Sequence, residues 1–209
     1  MSTVSSINAL RDAIRTRLGE WRFSHTLSVE KEIIKLGKRY LPQDISRLQI
    51  AALLHDITKE LSTEEHVALC ARHGIAVTDA ELASHKTLHA KTGALLAADE
   101  FGDLVDAEIL DAIAKHTTGA AQMSVFAKLL YLADYIEETR RFPDCIRLRE
   151  MFWDGFENLP QNKYRERLDR VLLASFEMTL TSLAAEGATV ASETLAARDA
   201  ILADINKYI

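Results

Sequence analysis

The chain has 209 residues, of which 48% are hydrophobic and 27% are charged, a composition typical of a globular protein with a full core. Its formal net charge of −6, without any basic tract, argues against a large nucleic-acid partner. A small phosphorylated ligand remains compatible, because a few local cations or a metal can reverse the sign inside a cleft. Cys70 and Cys145 are far apart and are interpreted as reduced thiols.

The N-terminal segment predicts a helix rather than a targeting signal. Ile7, Leu10, Ile14 and Leu18 follow helical spacing, and no apolar signal core accompanies them. Charged residues interrupt the longest apolar stretches well short of a membrane span. We therefore expect a cytoplasmic protein without a membrane segment.

Helical periodicity continues through nearly every later segment, whereas the two-residue alternation of strands is close to absent. Capping boxes at Ser62 with Glu65 and at Thr78 with Glu81 mark helix starts. The sequence therefore predicts an all-α fold. The predicted helices span about residues 6–18, 24–40, 44–56, 63–73, 86–99, 106–116, 123–138, 161–186 and 191–207.

The last two predicted helices leave two interpretations open. They form either a C-terminal hairpin that packs on the core or the surface of a homodimer. Because there is no internal repeat and no low-complexity linker, we expect one domain over residues 1–209. Its core would span about 20–150, and a C-terminal helical extension would span about 160–209.

Polar residues continue the inward-facing apolar stripes at several places. His55, His116 and Asp134 each follow apolar residues at three, four and seven positions earlier, which share one helix face. His25 and His89 fit this pattern more weakly. A lone inward histidine is more often a hydrogen-bonded core residue than a ligand, and an inward aspartate is commonly a cap or an ion-pair partner. Repetition in one domain favours convergence of these residues instead.

Neutral imidazoles and carboxylates gathered in a helical interior suit a divalent transition metal. The adjacent pair His55 and Asp56 could serve two metals if the carboxylate bridges them. Imidazole and carboxylate ligands permit Fe, Mn, Co, Ni or Zn, so ligand chemistry alone does not select the metal.

The order of these residues, H…HD…H…H…D, resembles the HD-domain metal-dependent phosphohydrolase superfamily. Five words narrow the resemblance to the YqeK branch, the bacterial symmetrical diadenosine tetraphosphate hydrolases. They lie within about residues 20–150 and read "HTLSV" at 25–29, "ALLHDITK" at 52–59, "LHAKTGA" at 88–94, "ILDAIAKHTTG" at 109–119 and "KLLYLADYIEETRRFP" at 128–143. The sequence departs from the branch at Glu138, where proline is usual, and at Asp144, where glycine is frequent; both concern the substrate-side loop.

The resemblance implies an all-α HD-domain helical bundle with two divalent metal ions, iron being the first choice. One metal would be held by His25, His55, Asp56 and Asp134, and the second would share Asp56. The second metal would add two ligands, His89 and His116. A water bridging the metals would be the nucleophile. Catalytic roles are expected for Asp56, Lys59 and His116.

The resemblance also implies symmetrical hydrolysis of a small dinucleoside polyphosphate, diadenosine tetraphosphate, to two ADP. Other HD-domain reactions remain open: release of a nucleoside monophosphate, cleavage of a cyclic nucleotide, or hydrolysis of guanosine tetraphosphate. A di-iron oxygenase and a non-catalytic nucleotide-binding module are the alternatives from other classes.

Several polar residues near the predicted ligands are candidates for binding substrate phosphates. They are Lys59, Thr117, Thr118 and Arg140. Ordinary structural roles are the alternatives. Lys59 could be a solvated lysine at a helix C-terminus, and the residues after His116 could simply end a helix at Gly119. Glu137 is interpreted as a surface partner of Arg140 or Arg141 rather than as a residue that orients a ligand.

The remaining histidines, His66, His73 and His85, are not expected to bind the metals. The aromatic pairs are interpreted as core residues rather than as platforms that stack on nucleobases. These pairs are Trp21 with Phe23 and Phe126 with Tyr131.

Overall fold

The computed structural model describes residues 6–208, apart from the side chain of Lys86. This part contains eleven α-helices and five short 3-10 helices, joined by loops. Since no strand occurs within this part, the prediction of an all-α fold is confirmed. The helices are α1 (Ile7–Arg15), α2 (Glu20–Tyr40), α3 (Ile45–Leu54), α4 (Thr63–Arg72), α5 (Asp79–Ala83), α6 (Leu88–Phe101), α7 (Ala107–Lys115), α8 (Val125–Ile136), α9 (Pro143–Trp153), α10 (Tyr164–Glu186) and α11 (Ser192–Ile205).

Two of these helices were absent from the sequence prediction. The capping box of Thr78 and Glu81 is formed, but it starts the short helix α5, for which no span was predicted. Helix α9 was also missed, and it begins at Pro143. Proline is favourable at the first position of a helix, where its missing N–H would have had no partner. Helix α3 also ends at Leu54, two residues earlier than predicted.

The central packing places α3 against α2, α1 and α7. Gly37 permits the close approach of α2 and α3, since a Cβ atom there would lie 2.6 Å from Cδ1 of Leu48. The last four residues of α3, from Ala51 to Leu54, are fully buried. Burial on this scale fixes the helix, so the residues that follow Leu54 are held in the interior of the bundle.

Helices α10 and α11 form a hairpin that packs on the core, which confirms the first of the two interpretations of this region. Phe176 of α10 is fully buried and packs on Gly119, where a Cβ atom would lie 2.6 Å from Cζ of its ring. The φ of 68° at this position also favours glycine. A buried ion pair of 2.7 Å between Lys128 and Asp169 joins α8 to α10. The homodimer stays a prediction. Among the described residues, no helix has the length and apolar character needed to cross a membrane.

Candidate metal centre

Six polar side chains from five helical segments meet inside the bundle. Each is between 0% and 8% exposed, although each carries a charge or a polar ring. His25 comes from α2, His89 from the first turn of α6, and Asp134 from the last turn of α8. The other three follow helix ends, two after α3 and one after α7. We call this group the histidine–aspartate cluster: His25, His55, Asp56, His89, His116 and Asp134.

Asp56 lies between two pairs of imidazoles in this cluster. Its Oδ2 atom is 3.6 Å from Nε2 of His55 and 3.9 Å from Nε2 of His25. Its Oδ1 atom is 3.2 Å from Nε2 of His89 and 3.5 Å from Nε2 of His116. The two oxygens of one carboxylate therefore face different histidine pairs.

Asp134 completes one side of the arrangement. Its Oδ1 atom is 2.9 Å from Nε2 of His25 and 3.8 Å from Nε2 of His55. Two groups of three have potential ligand atoms that all lie within 4.8 Å of one another. They are His25, His55 and Asp134, and His55, Asp56 and His116.

Hydrogen bonds donated by Nδ1 determine which ring nitrogen of these histidines faces the centre of the cluster. Nδ1 of His55 and Nδ1 of His116 each donate to the backbone carbonyl oxygen three residues earlier, at 2.7 Å. Nδ1 of His25 donates to Oε1 of Glu137 at 3.2 Å. Since carbonyl and carboxylate oxygens accept only, the Nδ1 atoms carry a hydrogen, and the Nε2 atoms face the cluster. In a neutral ring this arrangement leaves Nε2 as an acceptor.

These residues fit a divalent metal. Nε2 of His55 is buried and makes no hydrogen bond to any of the described residues. An acceptor buried in this way is costly unless something else engages it. Imidazole nitrogens together with carboxylate oxygens are the donor set of divalent transition metals, and the carbonyl-held Nδ1 atoms are the usual support of such ligands.

The ionisation of the cluster matches that donor set. Burial lowers the pKa of both His55 and His89 to about 4, which keeps these rings neutral. Burial alone would raise the pKa of Asp56 and of Asp134. The imidazole of His55 outweighs this for Asp56, and the guanidinium of Arg140 outweighs it for Asp134, so both pKa values lie well below their usual range. The carboxylates therefore stay ionised.

His25 is the exception within the cluster. Burial lowers its pKa, but the carboxylates of Asp134 and Glu137 outweigh burial and raise the pKa to about 9. A cation held between these residues would take the place of such a proton, because metal ligation requires the neutral ring.

Three cationic side chains surround the cluster. Arg22 donates through Nη1 to Oδ2 of Asp56 at 2.7 Å, and Arg140 donates through Nη2 to Oδ1 of Asp134 at 2.7 Å. Nζ of Lys59 lies 2.9 Å from Nε2 of His89. Sequence reasoning identified the lysine and Arg140 but missed Arg22. Arg22 could have been identified from its spacing, because it lies three residues before His25 and therefore on the same face of α2.

The two threonines after α7 lie in different surroundings. Oγ1 of Thr117 is 3.0 Å from Nε2 of His89 and 3.1 Å from Nε2 of His116, so it belongs to the edge of the cluster. Thr118 donates instead to the carbonyl of Gly119 and lines a separate cavity beside the loop between α10 and α11. Only Thr117 is therefore near the ligand candidates.

Two interpretations drawn from the sequence are wrong. Glu137 is fully buried rather than a surface ion-pair partner, and it accepts hydrogen bonds from His25 and Thr139. Its carboxylate can stay buried because these donors satisfy it. Trp21 is 72% exposed rather than part of the core, while Phe126 and Tyr131 are buried as predicted. Phe23 is half-buried against the core.

Comparison with known proteins places this arrangement in a family. A family model described as the HD domain matches residues 22–139. The chain belongs to the HD-domain family. The matched residues include every member of the histidine–aspartate cluster.

Relatives of this HD-domain protein share most of its length. A protein from Halalkalibacterium halodurans is 30% identical over 90% of this chain and 93% of its own, and one from Bacillus subtilis is 36% identical over 66% and 73%. Both are named symmetrical bis(5'-nucleosyl)-tetraphosphatase. A solved structure from Clostridium acetobutylicum, described as a predicted HD superfamily hydrolase involved in NAD metabolism, is 30% identical, with a TM-score of 0.84 over 96% of this chain and 99% of that one.

Proposed function

We propose that this HD-domain protein is a metal-dependent hydrolase that cleaves diadenosine tetraphosphate symmetrically into two ADP. The observation that carries the proposal is the position of Asp56, whose two oxygens face two separate pairs of histidines. A carboxylate in this position can bridge two cations. The names of the relatives from Halalkalibacterium halodurans and Bacillus subtilis supply the substrate.

The cluster would hold two divalent ions, with iron as the first choice and Mn, Co, Ni or Zn as alternatives. Asp56 would be shared by both ions. When bound, such cations acidify a water molecule and neutralise charge on phosphoryl oxygens. One ion would be held by His25, His55 and Asp134, and the other by His89 and His116.

The protein's own contribution to this site is orientation. The Nδ1 hydrogen bonds of His25, His55 and His116 fix the ring planes, so the Nε2 atoms point to the centre without searching other rotamers. Two of the acceptors are backbone carbonyls of α3 and α7, and their positions are set by helix packing. A pre-organised site of this kind spends no binding energy on rearrangement.

Positive side chains at the edge of the cluster fit a tetraphosphate. Arg22, Lys59 and Arg140 bring three cations together in a chain whose formal net charge is −6. Guanidinium groups bind phosphate oxygens through paired N–H donors, and the ammonium group binds them as a point charge. The hydroxyl of Thr117 adds a neutral donor beside His116. Thr118 can contribute only through its backbone or after a change of side-chain rotamer.

Symmetrical cleavage fixes the balance of the reaction. The oxygen of water becomes bonded to one of the two central phosphorus atoms, and the oxygen that bridged them leaves with the other half. Both halves are then ADP. The site thus has to place the middle of the substrate, rather than an end, beside Asp56.

The test is a substrate panel for the metal-loaded protein, with products resolved by chromatography. The panel contains diadenosine tetraphosphate, a cyclic nucleotide, guanosine tetraphosphate and NAD, the last because of the description of the Clostridium acetobutylicum structure. We expect two ADP from diadenosine tetraphosphate and slower turnover of the others. AMP plus ATP, or preference for another member of the panel, would overturn the proposal. Oxygen uptake by the iron-loaded protein without nucleotide turnover would favour an oxygenase.

A further inference from the structure

Two large aromatic side chains project into solvent beside the histidine–aspartate cluster. Trp21 is 72% exposed and Phe142 is 66% exposed, whereas the other exposed large hydrophobic side chains of residues 6–208 are at most 41% exposed. Burial of such side chains is strongly favourable, so their exposure in a chain with a full core requires a reason.

Both aromatic residues line the same cavity, which has a volume of about 300 Å³. Trp21 lies in the first turn of α2, and Phe142 is the residue that precedes α9. The cavity is also lined by one residue of the cluster, His25, and by four residues close to it: Glu137, Thr139, Arg140 and Arg141. A group that enters this cavity therefore reaches the cluster directly.

We propose that Trp21 and Phe142 form a clamp that binds one nucleobase of the dinucleoside polyphosphate. This inference rests on the proposed function, since it assigns the base-binding part of the same substrate. The faces of every nucleobase stack on aromatic side chains, and the volume of the cavity suits a nucleoside. Arg140 in the same cavity complements the phosphates attached to the ribose of a bound nucleotide.

The indole of Trp21 is already held in place for such stacking. The guanidinium carbon of Arg22 lies 4.7 Å from the centre of the ring, and the ring of His25 is nearly parallel at 6.1 Å, with an angle of 10°. These contacts fix the plane of the indole, while most of its surface stays open to solvent. A fixed plane lowers the entropy that a base loses on binding.

Kinetics of the metal-loaded enzyme with diadenosine tetraphosphate test the clamp. We expect Trp21→Ala and Phe142→Ala each to raise KM about tenfold with kcat within about threefold, because base stacking contributes binding of that size. Trp21→Phe keeps an aromatic face and should restore KM to within about threefold. The matched control is Leu195→Ala, which removes an exposed apolar side chain of α11 and should leave KM unchanged.

Fluorescence gives a second measurement that does not depend on turnover. The chain has two tryptophans, so Trp153→Phe leaves Trp21 as the sole indole. Titration of this metal-loaded variant with ADP should quench the emission, and titration with pyrophosphate, which has no base, should not. Equal quenching by both, or none by ADP, would overturn the clamp.

The two proposals fail in different ways. If wild type produces two ADP but Trp21→Ala and Phe142→Ala leave KM unchanged, the clamp is wrong and the proposed function stands. If wild type does not hydrolyse diadenosine tetraphosphate, the proposed function is wrong. In that case quenching by ADP, without quenching by pyrophosphate, still supports a base-binding clamp.

Discussion

The histidine–aspartate cluster and the rim around it are built in opposite ways. The cluster is buried, and two of its rings are fixed by backbone carbonyls of α3 and α7. We define the rim as the cationic and aromatic residues that surround the cluster. They are Trp21, Arg22, Lys59, Arg140 and Phe142. Rim residues are partly or largely exposed and lie near helix ends, where one substitution changes a contact without disturbing the core. Under the proposed function, we expect packing to fix the metal-binding residues and the rim to select the substrate.

Removal of metal tests the cluster most severely. We expect a chelator to abolish hydrolysis of diadenosine tetraphosphate and added divalent metal to restore it, because the cluster's charges need a cation to act on a phosphate. The metal should also raise the midpoint of thermal unfolding, since a ligand bound only by the folded chain stabilises it. Full activity in protein shown to be metal-free would contradict the account.

Asp56→Ala should cause the largest loss of any single substitution, about 1,000-fold or more in kcat, because it removes the carboxylate shared by both proposed metal positions. Activity and bound metal are measured together, and circular dichroism checks that the helices are retained. Asp111→Ala, which removes an exposed carboxylate paired with Lys115 on α7, is the control and should keep full activity. If Asp56→Ala has the metal content and turnover of the wild type, the assignment of the metal site is wrong.

Glu137→Gln tests how far the cluster depends on the residues that orient it. Glu137 accepts the Nδ1 hydrogen bond of His25, and loss of such support typically weakens metal affinity by about 10- to 100-fold. We expect activity to return at high metal concentration. Glu138→Gln, at the exposed neighbouring position, is the matched control and should leave metal affinity unchanged. If the two variants behave alike, the carboxylate of Glu137 does not orient the ligand.

Arg140→Ala addresses the rim and should have a smaller effect. Loss of a charge-assisted contact to phosphate should raise KM by about tenfold, with little change in bound metal. The neighbouring Arg141→Ala makes a suitable comparison, because this side chain is exposed and, among the described residues, forms no ion pair with Asp56 or Asp134. A change within about threefold is expected. A greater effect at Arg141 than at Arg140 would reverse the assignment of the phosphate contact.

Helical spacing predicted part of the cluster, and the full set of six residues was implied by the resemblance to the HD-domain superfamily. His55, His116 and Asp134 continue apolar stripes, so burial alone brings them into the interior. The buried position of Glu137 and the contact of Arg22 with Asp56 were not predicted, since a charged residue near a helix end looks the same in sequence whether it meets solvent or a buried group. Their contacts depend on how α2 lies against the end of α8 and against the residues that follow α3, which spacing along one helix does not encode.

The fold was predictable to a similar extent and for similar reasons. Long periodic segments such as α2 and α10 were identified, and both capping boxes form. Helix α9 was missed because proline is compatible with both a turn and a helix start. Trp21 was assigned to the core on its apolar character alone, although a residue in the first turn of a helix can equally face solvent.

The most direct test of the central claim is to locate the metals relative to Asp56. Anomalous diffraction from crystals of the metal-loaded protein should show two peaks, each about 2.0–2.2 Å from a different oxygen of Asp56. His25, His55 and Asp134 should surround one peak, and His89 and His116 should surround the other. A single peak, or two peaks of which only one contacts Asp56, would contradict the bridging role on which the proposed mechanism depends.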